Sequence, residues 1–341
     1  MQTKVAVVIL NYNGKRYLEQ FLPSVVAYTS EAKIIVADNG STDESIAFIS
    51  EQYPDLEVVA MKQNTGFSTG YNLALQQVEA EYYVLLNSDI EVSPQWLASL
   101  LKLMEENPRI AACQPKVKAF HAKNKFEHAG AGGGFIDIFG FPFCRGRILD
   151  ITEEDFGQYN DNKEVFWTSG ACMIIRAKLY HELGGLDDDF FAHMEEIDLC
   201  WRLKNAGYQL FYCGESEVFH VGGGTLSYQS PQKLYLNFRN SLVMLVKNTP
   251  FPAVLWLTFF RMLIDGIGGI WFLYRGNWRS FYVVLQAHFY FYQHFFSILK
   301  KRKKARSLAK IDTHSQIFKG SIVWEYFIKK KKKFSEIINF Q

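Results

Sequence analysis

The chain's 341 residues are long enough for one large α/β domain with an appendage, or for two ordinary domains, and a hydrophobic content of 48% supports a sizeable core. Its net charge of +2 hides an asymmetry: acids are spread over the first two thirds, while cations gather in runs at 300–304 and 329–333. That pattern excludes a uniformly basic nucleic-acid binder and suggests a basic tail facing phosphates or an anionic surface.

Residues 1–4 run directly into an apolar segment, so no signal peptide is expected at the amino terminus. Short apolar runs at 5–10, 33–37, 56–60, 82–86 and 110–114 predict strands, and amphipathic segments near 15–28, 42–52, 68–79 and 94–106 predict helices. Ser41 or Thr42 is a candidate cap for the second helix, and Ser93-Pro94 reads as the cap and first turn of the fourth. Such strand–helix alternation predicts an α/β protein with a mostly parallel sheet and helices on both faces. Residues 116–162 are glycine-rich and lack a sustained period, which predicts loops that shape a site or run over the surface. Strands are expected again at 164–167, 171–176 and 209–213, with helices from 178 and over 196–206. The five cysteines (Cys113, Cys144, Cys172, Cys200 and Cys213) form no C-x-x-C pair and no zinc-like spacing, which predicts buried free thiols and a reducing cytosol.

From 251 to 299 the composition turns aromatic and aliphatic, interrupted by Arg261 and Asp265 and divided by Arg275, Asn277 and Arg279. Charge at mid-membrane is expensive, so helices lying in a membrane interface are expected, with Trp256, Trp271, Tyr274 and Trp278 at headgroup level and the lysines on anionic lipid. A packed helical subdomain or a homodimer interface is the other reading. The expected organisation is a catalytic domain over 1–250, a hydrophobic helical region over 251–300 and a basic tail over 301–341.

Five groups of residues carry chemistry. Asp89, in Asn87-Ser88-Asp89 after the fourth strand, projects into the crevice where open α/β sheets bind ligands and is placed to hold a divalent cation. Asp38, in Asp38-Asn39-Gly40-Ser41-Thr42-Asp43, ends the second strand; its carboxylate accepts from base or hydroxyl donors, or serves the turn. Asn64-Thr65-Gly66-Phe67 and the following Gly70-Tyr71-Asn72 open the third helix, where glycines let backbone amides reach an anion. Glu195-Glu196-Ile197-Asp198 clusters three carboxylates beside Phe190, Phe191 and Met194; crowding and apolar surroundings raise proton affinity, as a general base requires. His220 ends a strand-like segment before Gly222-Gly223-Gly224-Thr225 and can reach a metal or a phosphate.

Taken in order, Val7-Val8-Ile9-Leu10-Asn11-Tyr12-Asn13, the Asp38–Asp43 segment, Asn64-Thr65-Gly66-Phe67, Leu86-Asn87-Ser88-Asp89, Gly170-Ala171, Glu195-Glu196-Ile197-Asp198 and His220 resemble family 2 glycosyltransferases, most closely bacterial rhamnosyltransferases and galactofuranosyltransferases. The resemblance covers about residues 4–250. It implies a GT-A fold, a Rossmann-like sheet followed here by the aromatic-rich helical appendage, and an inverting transfer from a nucleoside diphosphate-sugar, dTDP- or UDP-linked. By that likeness Asn11, Asn13, Asp38, Asn39, Gly66, Asn72, Asn87 and Ser88 line the donor nucleotide pocket. Asp89 and His220 hold Mg²⁺ or Mn²⁺, with Asn87 a weak or indirect ligand, and either Glu195 or Glu196, with Asp198 beside them, deprotonates the acceptor hydroxyl. The implied setting is cell-surface polysaccharide synthesis, with a glycan or lipid-linked acceptor, at the inner face of the cell membrane. Two other readings remain: a sugar-phosphate nucleotidyltransferase, which the Asn11-Tyr12-Asn13-Gly14 turn argues against, and a non-catalytic membrane-associated binding protein, which the joint retention of the acids and His220 argues against.

Overall fold

A computed structural model describes residues 3–222 and 230–338. The glycines expected to follow His220, at 223 and 224, and Thr225 lie outside the described residues. The centre of the molecule is a ten-stranded sheet. Its amino-terminal half is built from β1 (Thr3–Asn11), β2 (Lys33–Asp38), β3 (Glu57–Ala60) and β4 (Ala80–Asn87), all parallel, in the order β3-β2-β1-β4. β1 and β4 are apolar runs buried on both faces, as parallel strands under helices must be. Register brings the polar ends of these runs together: Asn11 pairs with Asp38, and Leu10 with Asn87. Beyond β4 the strand Cys172–Arg176 runs antiparallel, followed by Ile110–Ala119 and the long strand Gln209–His220 parallel to it.

The strands expected in the first 115 residues all form; the first helix starts at Lys15 as expected and the third at Gly66, two residues early, but the second and fourth start later than the pattern suggested. Ser93-Pro94 does not open the fourth helix, which begins at Trp96 after Gln95 in a left-handed conformation; Ser93 Oγ instead donates to Glu217 O at 2.6 Å. Neither Ser41 nor Thr42 caps the second helix, Ser45–Gln52. Asp43 Oδ1 accepts from Ser45 N at 3.1 Å, and Asn13 Oδ1 accepts from Thr42 N at 2.7 Å.

Residues 116–162 are not simply loops. The strand from Ile110 continues to Ala119, turns back through Ala122–Phe126, and is followed by a second sheet of Gly134–Asp137, Pro142–Cys144, Arg147–Ile148 and Ile151–Thr152. Strands of two to four residues separated by glycine carry no readable period. Gly134 is required there, since a Cβ would lie 2.1 Å from the Trp167 ring. The fifth strand of this sheet is Ile317–Phe318, and the Phe334 ring packs at a tilt against Phe135 and Phe143. Part of the region expected as a basic tail is therefore fastened to the front of the chain. Asp137 secures it, accepting from Ile322 N at 2.9 Å as well as from Phe139 and Phe141; burial raises this carboxyl to about 7.

The appendage is four helices, Pro231–Asn248, Ala253–Tyr274, Trp278–Gln293 and Phe295–Ser307. Arg261 and Asp265 do not interrupt the second of these but form a buried pair inside it at 2.9 Å, and Arg261 also donates to Ser241 Oγ and Phe139 O. Its opposite face exposes Phe259, Leu263, Ile267, Ile270 and Trp271. Among the described residues it is the one helix long and apolar enough to cross a membrane. The run at 300–304 is divided: Lys301 binds Asp187 and Asp189, Arg302 donates to Thr249 O, and Lys300, Lys303 and Lys304 face outward. All five cysteines are buried and unpaired, as expected.

Candidate active site

The carboxyl edge of the sheet gathers the residues singled out from the sequence. The short strand Ile90–Val92 pairs with the end of Gln209–His220, setting Ile90 opposite His220, and Val221 N donates to Asp89 O. As a result His220 Nε2 lies 3.2 Å from Asp89 Oδ1. On its other side His220 Nδ1 lies 3.1 Å from Glu127 Oε2. Burial pushes the imidazole down, but the two carboxylates outweigh it and raise it to about 10. Glu127 responds oppositely: burial pushes it up, and His220 draws it down to about 2. Glu127 was not foreseen, since it lies in the stretch without a readable pattern.

Once a cation displaces the proton on His220 Nε2, Asp89 and His220 would supply one oxygen and one nitrogen donor, and a carboxylate on the far ring nitrogen matches the way ligating histidines are oriented. The pair fits a divalent cation that takes its remaining ligands elsewhere. Among the described residues no cluster of three or more His, Cys, Asp or Glu side chains is arranged to hold an ion by itself.

On the β1–β2 side, Asp38 is fully buried and accepts from Asn11 Nδ2 at 3.0 Å and Ser41 N at 2.8 Å. Asn11 Oδ1 is buried without a hydrogen-bond partner among the described residues. It faces Gly14, where a Cβ would lie 2.3 Å from it and 3.4 Å from Ser88 Oγ. Asn11, Asp38, Asn87 and Ser88 thus share one edge, with Asn13 folded over the following turn.

Three of the expected nucleotide-side residues do other work. Asn39 ties two turns together, donating to Gly66 O at 2.9 Å and accepting from Thr65 N at 3.0 Å. Asn72 points to the 186–188 segment, donating to Leu186 O and Asp188 Oδ1 and accepting from Tyr180 Oη, all within 2.8 Å. Gly66 opens a helix whose first amides are already taken: Phe67 N and Ser68 N donate to Phe191 O at 2.6 and 3.1 Å. This helix start is capped by protein and is not an open anion site.

The acidic cluster is also divided. Asp198 is completely buried and accepts from Arg202 Nε at 3.0 Å, Lys247 Nζ at 2.9 Å and Asn248 Nδ2 at 2.9 Å. Its oxygens are occupied by structure, which argues against the expected part in proton transfer. Glu195 and Glu196 have Oε2 atoms buried without a partner among the described residues. Burial raises Glu196 to about 7; burial, then Glu196 itself, raises Glu195 well above the carboxylate range. A Cβ placed on Gly170 would lie 3.4 Å from Glu196 Cβ and 3.5 Å from the Phe67 ring. The next residue, Ala171, accepts from Asn87 N at 2.9 Å, so Glu196 stands over the end of β4.

The loop before this pair is strained. Phe191, His193 and Met194 have φ of 62°, 68° and 71°, values that cost a side-chain-bearing residue about 1–3 kcal/mol each.

The family model described as Glycosyl transferase family 2 matches residues 6–184, more than half of the chain. The chain belongs to this family. The glycosyltransferase is 25% identical to the N-acetylglucosaminyl-diphospho-decaprenol L-rhamnosyltransferase of Mycobacterium tuberculosis over 236 residues, covering 64% of this chain and 76% of the relative. It is 27% identical to rhamnosyltransferase WbbL of Escherichia coli K12, covering 63% and 83%. Among solved structures, GalNAc-T7 with UDP, GalNAc and Mn²⁺ superposes with a TM-score of 0.55 at 16% identity, covering 72% of this chain and 48% of that one, about half its length. That likeness concerns the fold, and it is the GT-A fold.

Proposed function

We propose that this glycosyltransferase moves a sugar, with inversion, from a nucleoside diphosphate-sugar to a hydroxyl of a glycan or lipid-linked acceptor in cell-surface polysaccharide synthesis. The observation that carries the reading is the opposition of two unlike groups at one sheet edge: the Asp89–His220 pair, and Glu196 with its proton affinity raised to about 7. In the reaction the acceptor oxygen bonds to the anomeric carbon as the bond from that carbon to the diphosphate breaks, and the hydroxyl proton passes to the carboxylate. Glu196 is the better base of the two, because it is half-buried beside Gly170 while Glu195 is enclosed. Asp89 and His220 would hold Mg²⁺ or Mn²⁺, which supplies positive charge against the departing diphosphate. Glu127 keeps His220 oriented, and the Asn11–Asp38 edge receives the nucleoside, the unpartnered Asn11 Oδ1 being available to a donor on the ligand.

The relatives' names favour a rhamnosyl donor and a polyprenyl diphosphate-linked acceptor. The exposed aromatic face of Ala253–Tyr274, with the outward lysines at 300, 303 and 304, supports attachment to an anionic membrane from the cytoplasmic side. Thermal-shift screening of dTDP-rhamnose, UDP-GlcNAc, UDP-galactose and GDP-mannose with and without Mn²⁺ tests the donor reading: stabilisation by a sugar nucleotide should require the metal. Metal-dependent binding that survives Asp89→Ala undiminished in calorimetry refutes the metal role. Flotation on anionic vesicles tests attachment, comparing the full chain with a Phe259→Ser, Ile270→Ser, Trp271→Ser variant. Truncation is unsuitable because Ile317–Phe318 and Phe334 belong to the folded core.

A further inference from the structure

Asn240 lies on the helix Pro231–Asn248, is fully buried, and aims its amide at the strained loop before Glu195. Nδ2 stands 3.0 Å from Phe190 O, 2.9 Å from Ala192 O and 2.7 Å from His193 O. Its orientation is set from behind, because Oδ1 accepts from Arg239 Nε at 2.7 Å and so leaves the NH₂ group facing the loop. Arg239 adds Nη2 contacts to Asp189 O at 2.8 Å and Phe190 O at 3.0 Å, with its guanidinium over the rings of Tyr235 and Tyr290. The carbonyl between these, Phe191 O, is taken from the opposite side by Phe67 N and Ser68 N. Every carbonyl from Asp189 to His193 therefore has a donor; the left-handed Phe191 and His193 sit inside that grip and Met194 follows directly after it.

We infer that Asn240 is a positioning residue for transfer: it holds Phe191, His193 and Met194 in their left-handed conformations and thereby sets the direction in which Glu195 and Glu196 leave the loop. Non-glycine residues leave this region once nothing over-determines them. Met194 is the residue immediately before the helix Glu195–Asn205, so a change in its φ swings the start of that helix and moves Glu196 off Gly170. The inference rests on the reading of Glu196 as the base, and the experiment separates the two.

Full-length Asn240→Leu, Asn240→Asp and Arg239→Ala variants are compared with Glu196→Gln, using the sugar nucleotide that the Mn²⁺ screen selects, with water or acceptor as the receiving hydroxyl. Both Asn240 substitutions should lower kcat at least tenfold, leave donor KM within twofold, and move the acidic limb of the kcat–pH profile downward as the carboxylate loses its buried setting. Arg239→Ala, at a half-exposed position, should act in the same direction by a smaller factor and covers the case in which the Asn240 variants fail to fold. Hydrogen exchange should accelerate at least tenfold in residues 189–195 while β1 and β4 stay protected. Wild-type kcat and an unmoved acidic limb in these variants, or exchange that rises equally through the whole domain, overturns the inference. Full activity in Glu196→Gln overturns the reading of the base instead.

Discussion

At the nucleotide-side edge the carboxylate of Asp38 is paired with Asn11 and Ser41 and one amide oxygen, Asn11 Oδ1, lacks a partner, whereas at the acidic edge a carboxylate oxygen of both Glu195 and Glu196 is buried without a partner among the described residues. The first edge is made by turns at the ends of the adjacent strands β1, β2 and β3, and its geometry exists before any ligand arrives. The second is held in place by distant groups, among them Asn240, and keeps its carboxylates short of hydrogen bonds. Unpaired buried carboxylates destabilise a fold, and the same circumstance raises their proton affinity towards what a base needs near neutral pH. On the reading proposed above, the paired carboxylate of Asp38 belongs to binding and the unpaired carboxylates of Glu195 and Glu196 to the chemistry.

The strongest way to break this comparison is Glu196→Gln. Loss of a general base is expected to lower kcat by about 10²–10⁴-fold in a transfer assay, with calorimetric donor binding intact. An equal loss of donor affinity would erase the distinction between the edges. Next is Asp198, an acid of the same helix that is wholly paired. Asp198→Ala should destabilise the protein by about 3–5 kcal/mol in denaturant unfolding, because Lys247 and Arg202 lose a buried partner, while activity per folded molecule persists. Glu127→Gln should weaken Mn²⁺ binding by about 10–100-fold in calorimetry, as loss of a histidine-orienting carboxylate does elsewhere.

A smaller effect comes from pH. Glu196 is raised to about 7 in the folded protein from an ordinary 4.5, so the folded state holds its proton longer than the unfolded chain. Its contribution to stability is therefore full below 4.5 and is lost as pH climbs to about 7, over the interval in which kcat should rise. Glu196→Gln should flatten that part of the stability profile in urea titrations at successive pH values. The smallest effect is expected at Asn39→Ala, about 1–3 kcal/mol of stability from unsatisfied turn groups, with donor KM unchanged.

Much of the sheet was legible because its strands are short apolar runs ending in a polar residue, a one-dimensional pattern. The helix starts were less so: Asp43, not Ser41 or Thr42, accepts from the first amide of the second helix, while Asn13 holds the turn before it, a competition among neighbouring oxygens that composition does not rank. The candidate site divides the same way. Asp38, Asp89, Glu195, Glu196 and His220 stood out as charged or polar groups at element ends. Asn39, Asn72 and Asp198 stood in the same motifs, yet their side chains are consumed by Thr65, Leu186 and Lys247, partners remote in sequence. Glu127 and Asn240 carried no local signal, since their partners lie on other elements.

By itself the sequence determined the alternation that makes a GT-A sheet and the residues that fall at its carboxyl edge, because periodicity and strand ends are local properties of the chain. Only the tertiary structure decided which of those residues are free to react. Whether a carboxylate is paired or left buried and alone depends on what the rest of the chain brings to it. For Glu196 and Asp198, two positions apart, those surroundings are opposite.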